Sequence, residues 1–182
     1  MNSSSQKYIY YRGESKNIIL INKNLDKDYT FGIWKPKIYE MWPRGLFFTA
    51  LVAWWFFYFF RIFNNSEYRI FLIYYRDKKV AHYSVVLPKH FRTPFMENDD
   101  LQVGPVGTDK NHQRRGLAFF TIQKIIEFYK DKNIKFWYVT REGNEPSIRL
   151  IEKAGFVKYG EGIKKKRFIG GLFNNFIIEK KF

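Results

Sequence analysis

Apolar positions along the chain switch between a period of two and a period near 3.6, which predicts a mixed α/β architecture. The runs YRIFLIYY (68–75) and VAHYSVVL (80–87), joined by the polar RDKK, predict an antiparallel hairpin. YIYY (8–11) and NIILI (17–21), separated by a turn containing Gly13, predict a second strand pair, and YTFGIW (29–34) another strand. An irregular loop from Pro88 to Asp100 precedes LQVGPVGT (101–108), a strand in which two glycines and a proline predict a bulge or break. In RGLAFFTIQKIIEFYK (115–130), Leu117, Phe120, Ile122, Ile125, Ile126 and Phe128 fall largely on one broad helical face. The strand IKFWYVT (134–140) follows. A short helix then has Pro146 near its start and Gly155 just past its end, before KAGFVKYGEG returns to a strand.

One stretch breaks the alternation. GLFFTALVAWWFFYFF (45–60) runs between Arg44 and Arg61 without a formal charge. Its 16 positions fall short of the roughly 20 that a helix needs to cross a bilayer. The stretch therefore reads as a packed helix and not a span. Interfacial contact with a membrane or with a second subunit is the alternative. The segment KIYEMW between Pro36 and Pro43 predicts a short helix or turn.

Composition narrows the chemistry. No repeat or Pro/Ser-rich linker divides the 182 residues, so 1–182 is expected to form a single domain. The absence of cysteine excludes disulfides, thiolate catalysis, cysteine-ligated zinc and iron–sulfur clusters. The start, MNSSSQKYIYYRGESK, has no apolar core or cleavage site of a secretory signal. It is expected to be a frayed tail, and the lack of cysteine is compatible with a reducing cytoplasm, the expected location. With 32 Lys+Arg against 17 Asp+Glu, the net charge is +15, which favours nucleic acid, an acidic membrane surface or a polyphosphate ligand. KKKR (164–167) is too short to choose among them. The lysines are spread along the chain, and no zinc-finger, basic-zipper or RNA-recognition signature is present, which speaks against nucleic acid.

The centre of the sequence, LQVGPVGTDKNHQRRGLAFF, is a strand, a basic glycine-containing loop and a helix. Such an arrangement aims backbone N–H groups and a helix N-terminus at an anion. Gly116 permits close approach, Ala118 keeps the first turn slim, and Arg114 and Arg115 add positive charge; the predicted guest is a pyrophosphate. The residues QRRGLA (113–118) resemble the Gln/Arg-x-x-Gly-x-Gly/Ala signature of the GNAT superfamily of acyl-CoA N-acyltransferases. NEPSIRLIEKAGF (144–156) resembles the family's Asn-x-x-Ala-x-x-Leu-Tyr-x-Lys-x-Gly-Phe segment, with Asn144, Leu150, Lys153, Gly155 and Phe156 matching. Ser147 replaces the alanine, and Ile151 stands where many members place the tyrosine that protonates the leaving thiolate.

The resemblance covers about residues 68–160. It implies a mixed, mostly antiparallel central sheet with flanking helices and two splayed strands at the acyl-CoA site, and it places the 45–60 helix on the sheet at the acceptor side, with Trp54, Trp55 and Tyr58 as candidate walls. It also implies acetyl-CoA or another acyl-CoA as cosubstrate, no metal, and direct attack by an amine without a covalent enzyme intermediate. The cofactor-binding residues carried over are Gln113, Arg114, Arg115, Gly116, Leu117, Ala118, Asn144 and Ser147. Val106 and Thr108 join them as positions whose strand backbone polarises the thioester carbonyl.

An ammonium acceptor must lose a proton before it attacks, and His82, beside the splayed strand in sheet order, is the candidate base. His90 is second choice, His112 suits positioning, and Asp99 and Asp100 are carboxylate alternatives. The stretch 80–106 looks similar to small GNAT-like proteins associated with bacterial surface-polysaccharide assembly. That resemblance implies a nucleotide-linked amino sugar as acceptor, with Lys89 and Arg92 as phosphate contacts. Polyamines, aminoglycosides and protein N-termini are other acceptors, and a membrane-associated GNAT-like binding module is the non-enzymatic reading. Contact with the inner membrane face and a homodimer remain open.

Overall fold

The computed structural model describes residues 6–21, 24–167 and 173–182. Eight strands, β1 (Lys7–Glu14), β2 (Tyr29–Trp34), β3 (Arg69–Tyr75), β4 (Lys79–Pro88), β5 (Leu101–Thr108), β6 (Lys135–Arg141), β7 (Val157–Arg167) and β8 (Phe173–Lys181), form one sheet. Their order is β2-β3-β4-β5-β6-β1-β7-β8. The accompanying helices are α1 (Thr49–Phe59), α2 (Leu117–Phe128) and α3 (Glu145–Lys153). The mixed, mostly antiparallel sheet with flanking helices is the architecture expected from the sequence.

All pairings are antiparallel except β5–β6, where only Leu101–Phe136 and Gln102–Trp137 pair. Both strands continue beyond that point without pairing, so they diverge. The expected break in β5 lies at the start of this divergence. Ser84 pairs with Val106 and Val86 with Val103, which leaves Gly104 and Pro105 opposite Val85 alone. Proline offers no N–H to a neighbouring strand, and Gly104 accepts a φ of 140° that a side chain would resist.

The two helices α1 and α2 cover opposite faces of the sheet. On one face Ile122, Ile125 and Ile126 of α2 are fully buried against Phe71, Val86, Leu101 and Phe136. On the other, Leu51 and Trp54 of α1 pack on Ile70, Leu72, Val85 and Leu87. Successive residues of β3 therefore enter different cores, which is why its sequence is an almost unbroken apolar run.

Three expectations are corrected. NIILI does not pair with β1: Ser15 to Asn17 turn the chain, Ile18 is buried in the core and Ile19 is 83% exposed. β1 instead enters the sheet between β6 and β7, with Tyr10 and Tyr11 buried. The apolar segment becomes helical only at Thr49; residues 45–48 form its lead-in, with Gly45 at a φ of 79°. The expected frayed tail does not extend over 7–14, which is β1; residues 1–5 lie outside the described residues. KIYEMW forms a turn closed by a Lys37–Glu40 bridge, as one of its two expected forms. KKKR lies in β7, whose partner β8 the sequence patterning did not indicate.

Ile122 lies at the centre of the α2 interface at 0% exposure. Ile122→Ala is expected to lower stability by about 2–5 kcal/mol, read by urea denaturation. A loss under about 1 kcal/mol would show that this contact does not hold the helix on the sheet.

Candidate active site

The divergence of β5 and β6 opens a cleft of about 550 Å³. β5 lines it with Val106 and Thr108, and the following loop and start of α2 with His112, Gln113, Arg114, Gly116, Leu117 and Ala118. β6 contributes Tyr138, and α3 contributes Ser147 and Leu150. Eight of the ten residues expected to hold the acyl donor thus meet at one opening: Val106, Thr108, Gln113, Arg114, Gly116, Leu117, Ala118 and Ser147. The other two lie just outside it. Arg115 faces a neighbouring hollow with Asn24, Asp26 and Tyr29. Asn144 caps α3, its carbonyl accepting from the N–H groups of Ser147 and Ile148 at 3.0 Å each.

The loop is built to present backbone donors. Arg114 and Gly116 adopt left-handed φ values of 60° and 76°. The start of α2 has no side-chain cap and no acidic residue in its first turn. Its N–H groups and the positive end of its dipole are therefore available to an anion. Asp109 anchors the loop's entrance by donating its N–H to the Ala81 carbonyl at 2.9 Å and accepting from Asn111 N–H at 3.0 Å. Lys79, 3.0 Å from the Asp109 carboxylate, holds that carboxyl below its usual range. His112 is buried, with Nδ1 bonded to the Tyr29 hydroxyl at 2.9 Å. These features fit the diphosphate of an acyl-CoA, and no carboxylate is among the residues that line the cleft.

His82 is fully buried, and both ring nitrogens are engaged: Nδ1 with Thr108 Oγ1 at 2.7 Å and Nε2 with Ser84 Oγ at 3.0 Å. Burial pushes its pKa down to about 3. Its ring is therefore neutral at physiological pH and meets the cleft through the Thr108 hydroxyl. On the other side of Thr108 is a smaller hollow of about 290 Å³, bordered by Gly45, Leu46, His82, Tyr83 and Gly107. A Cβ on Gly107 would meet the Tyr83 ring at 2.5–2.7 Å, so glycine there lets this ring close over the strand and stack on Phe48 at 5.6 Å.

The remaining candidates sit elsewhere. His90 is buried among Phe57, Phe63 and Phe91 and bonds to the Pro88 carbonyl, and burial lowers its pKa to about 4. Asp100 accepts from Trp137 Nε1 at 2.6 Å and Glu97 N–H at 2.9 Å, a structural role, whereas Asp99 is exposed. Lys89 bonds to Asn98, and neither it nor Arg92 lines the cleft. Trp54 belongs to the α1 core, Trp55 bonds to the Lys37 carbonyl, and Tyr58 flanks the α1 core; the lead-in residues Gly45 and Leu46 border the small hollow instead.

Tyr138 and Phe119 are cleft residues that sequence patterning missed, and Tyr138 is the one that brings a polar group. β6 is buried on both faces, so alternation along KFWYVTR does not tell which side chain reaches an opening. Burial raises the Tyr138 pKa, while a hydrogen bond from Ser147 opposes that shift. Ile151, at the position where the resemblance places a tyrosine, is fully buried in the core and brings no hydroxyl to the cleft.

Residues 27–156 match the model of the acetyltransferase (GNAT) family. Among solved structures, the fold is similar to a tandem GNAT protein from the clavulanic acid biosynthesis pathway (14% identity, TM-score 0.61, covering 86% of this chain and 51% of that one). It is also similar to a GCN5-related N-acetyltransferase from Sphaerobacter thermophilus (12%, 0.58, 86% and 50%). A third is a GCN5-related N-acetyltransferase-like protein from Streptococcus suis (13%, 0.53, 87% and 61%). Identities this low establish a shared fold, and the chain spans from half to about three fifths of the length of these proteins.

The buried histidines set a pH dependence. Between the ordinary value of 6.5 and the folded value of about 3, His82 is protonated only when the chain is unfolded. Stability therefore falls as pH drops below about 6.5, by up to about 1.4 kcal/mol per pH unit for such a group. His90 adds the same sign of slope down to about 4. Urea denaturation of His82→Asn is expected to show a shallower loss between about pH 6.5 and 4.5. An unaltered slope would mean that the folded protein protonates His82.

Proposed function

Because the chain belongs to the acetyltransferase (GNAT) family, we propose that it transfers an acetyl or other short acyl group from acyl-CoA to an amine, with residues 1–182 acting as one catalytic unit. The observation that carries this reading is the junction of the β5–β6 opening with the uncapped start of α2. The loop from Arg114 to Ala118 holds the diphosphate, and the opening receives the thioester arm. On the edge of β5 that β6 has left, backbone N–H groups without a strand partner stabilise the oxyanion formed when the amine attacks the thioester carbonyl. The C–N bond forms, the C–S bond breaks, the attacking nitrogen releases one proton to solvent, and the thiolate takes one from an enzyme acid that solvent then reprotonates.

Tyr138 supplies that proton. Burial keeps its hydroxyl protonated, and it lines the cleft beside Ser147. His82 acts through Thr108: a group with a pKa of about 3 is a weak proton acceptor, but its hydrogen bond fixes the hydroxyl that borders both hollows. The acceptor then enters as the free amine, and His82 serves as a positioning residue instead of the base expected from the sequence.

For the acceptor, we favour a nucleotide-linked amino sugar used in bacterial surface-glycan synthesis, acylated in the cytoplasm. What supports it is chemistry: a chain of net charge +15 and the aromatic Tyr83–Phe48 stack at the small hollow suit a diphosphate and a base or sugar ring. Thioester consumption with UDP- and dTDP-amino sugars, polyamines, aminoglycosides and peptide N-termini ranks the acceptors. Turnover confined to the last three classes would exclude the sugar. Coenzyme A binding without turnover on any acceptor would favour a binding module.

Two substitutions separate binding from chemistry. Gly116→Trp is expected to weaken acetyl-CoA binding by more than about tenfold in calorimetry, because an indole would fill the phosphate cradle. Undiminished affinity would remove the diphosphate from this loop. Tyr138→Phe is expected to lower kcat by about 10²–10⁴ while acetyl-CoA affinity is kept. An unchanged kcat would assign the proton to another donor.

A further inference from the structure

A surface helix ordinarily turns charged or polar side chains toward water. α1 does not. Leu51 and Trp54 point into the core, while the exposed stripe at the spacing 49, 53, 56, 60 reads Thr, Ala, Phe, Phe. Phe56 is 43% and Phe60 70% exposed, and their rings stack on each other at 5.9 Å. Trp55 and Phe59 flank the stripe with their rings 4.6 Å apart. Exposed Phe47 and Ile62 prolong it at either end. A continuous apolar surface of this kind marks a docking site.

The charges around the stripe select what docks. Residues 35–65 carry Lys35, Lys37, Arg44 and Arg61 against Glu40, four cations less one anion, or +3. Arg44 precedes the helix and Arg61 follows it. Arg61 also borders a polar hollow of about 580 Å³ lined by Tyr58, Phe59, Asn64, Asn65 and Ser66. A second copy would set two cationic rims together on chains that each carry +15. An anionic lipid surface neutralises those rims and receives aromatic rings at its headgroup layer, where such rings are favoured. The 11 residues of α1 rise only about 16 Å against a hydrocarbon core of about 30 Å. Among the described residues no helix is long and apolar enough to cross a membrane.

We propose that the outward face of α1, with Arg44 and Arg61 at its ends, docks the protein peripherally on an anionic phospholipid bilayer, the hollow beside Arg61 receiving a headgroup phosphate. This surface is independent of the acyl-transfer reading. The lead-in to α1 carries Gly45 and Leu46 of the small hollow beside Thr108, so docking sets that hollow near the lipid interface.

Flotation of the full chain with vesicles tests the proposal, using phosphatidylcholine alone or with about 30 mol% phosphatidylglycerol. The protein is expected to float with the anionic vesicles and not with the neutral ones. Phe56→Ser combined with Phe60→Ser should lower the bound fraction at least about tenfold, with acetyl-CoA binding and circular dichroism unchanged. Arg44→Gln with Arg61→Asn should remove the preference for anionic lipid; asparagine suits the left-handed φ of 55° at position 61. The proposal is overturned by failure to float with anionic vesicles, or by flotation that survives loss of both phenylalanines. A lipid-free dimer that the double serine variant dissociates would also overturn it and assign the face to a second copy.

Discussion

The site depends on a parallel pairing that stops after two positions. Leu101–Phe136 and Gln102–Trp137 hold β5 beside β6, and beyond them the strands separate. Had the ladder continued to Thr108, Val106 and Tyr138 would lie in a closed sheet and no cleft would exist. Unpaired backbone edges are costly in an interior, so the divergence must be imposed from outside the pair. β4 imposes it on β5: two residues, Gly104 and Pro105, occupy the space opposite Val85, which turns the strand away. At the closed end, the Trp137 indole donates to buried Asp100 at 2.6 Å, tying β6 to the residue just before β5 at the point where separation begins.

The rest of the sheet keeps this opening from collapsing. β6 is paired along its whole length on the far side by β1, from Tyr8–Arg141 to Glu14–Lys135, so it has no freedom to swing toward β5. β5 is held by β4, and α2 lies against β3, β4 and β5 together. Each wall thus belongs to a separate rigid part, and the start of α2 falls at the mouth between them. Chemistry needing backbone donors and a diphosphate cradle in one place obtains both from this geometry.

Much of this was legible in the sequence because it is local. The QRRGLA loop, the Gly/Pro content of β5 and the hairpin of β3 and β4 depend on neighbouring residues, and each appears where its residues predict it. What was not legible depends on pairing across the chain. Tyr10 meets Val139 on one side and Gly160 on the other, and nothing within YIYY selects those partners over the nearby NIILI. Tyr138 was hidden for a related reason, since β6 is apolar toward both faces and only the divergence decides which residue reaches the cleft. For His82, the strand position was legible but the environment was not: its hydroxyl partners at Ser84 and Thr108 come from its own strand and a neighbouring one.

The same reasoning explains the unusual helix α1. Its inner side has to fill the sheet face opposite α2, and Leu51 and Trp54 do so. That task accounts for the inward side chains and leaves Phe56 and Phe60 without an interior to occupy. Because α1 and α2 cover opposite faces, a bilayer against the first would leave the uncapped start of the second open to solvent. An acyl donor and a lipid surface can therefore be engaged together. On the two proposals, one strongly basic chain would accommodate two kinds of anion, the diphosphate by backbone geometry and the headgroups by flanking side chains.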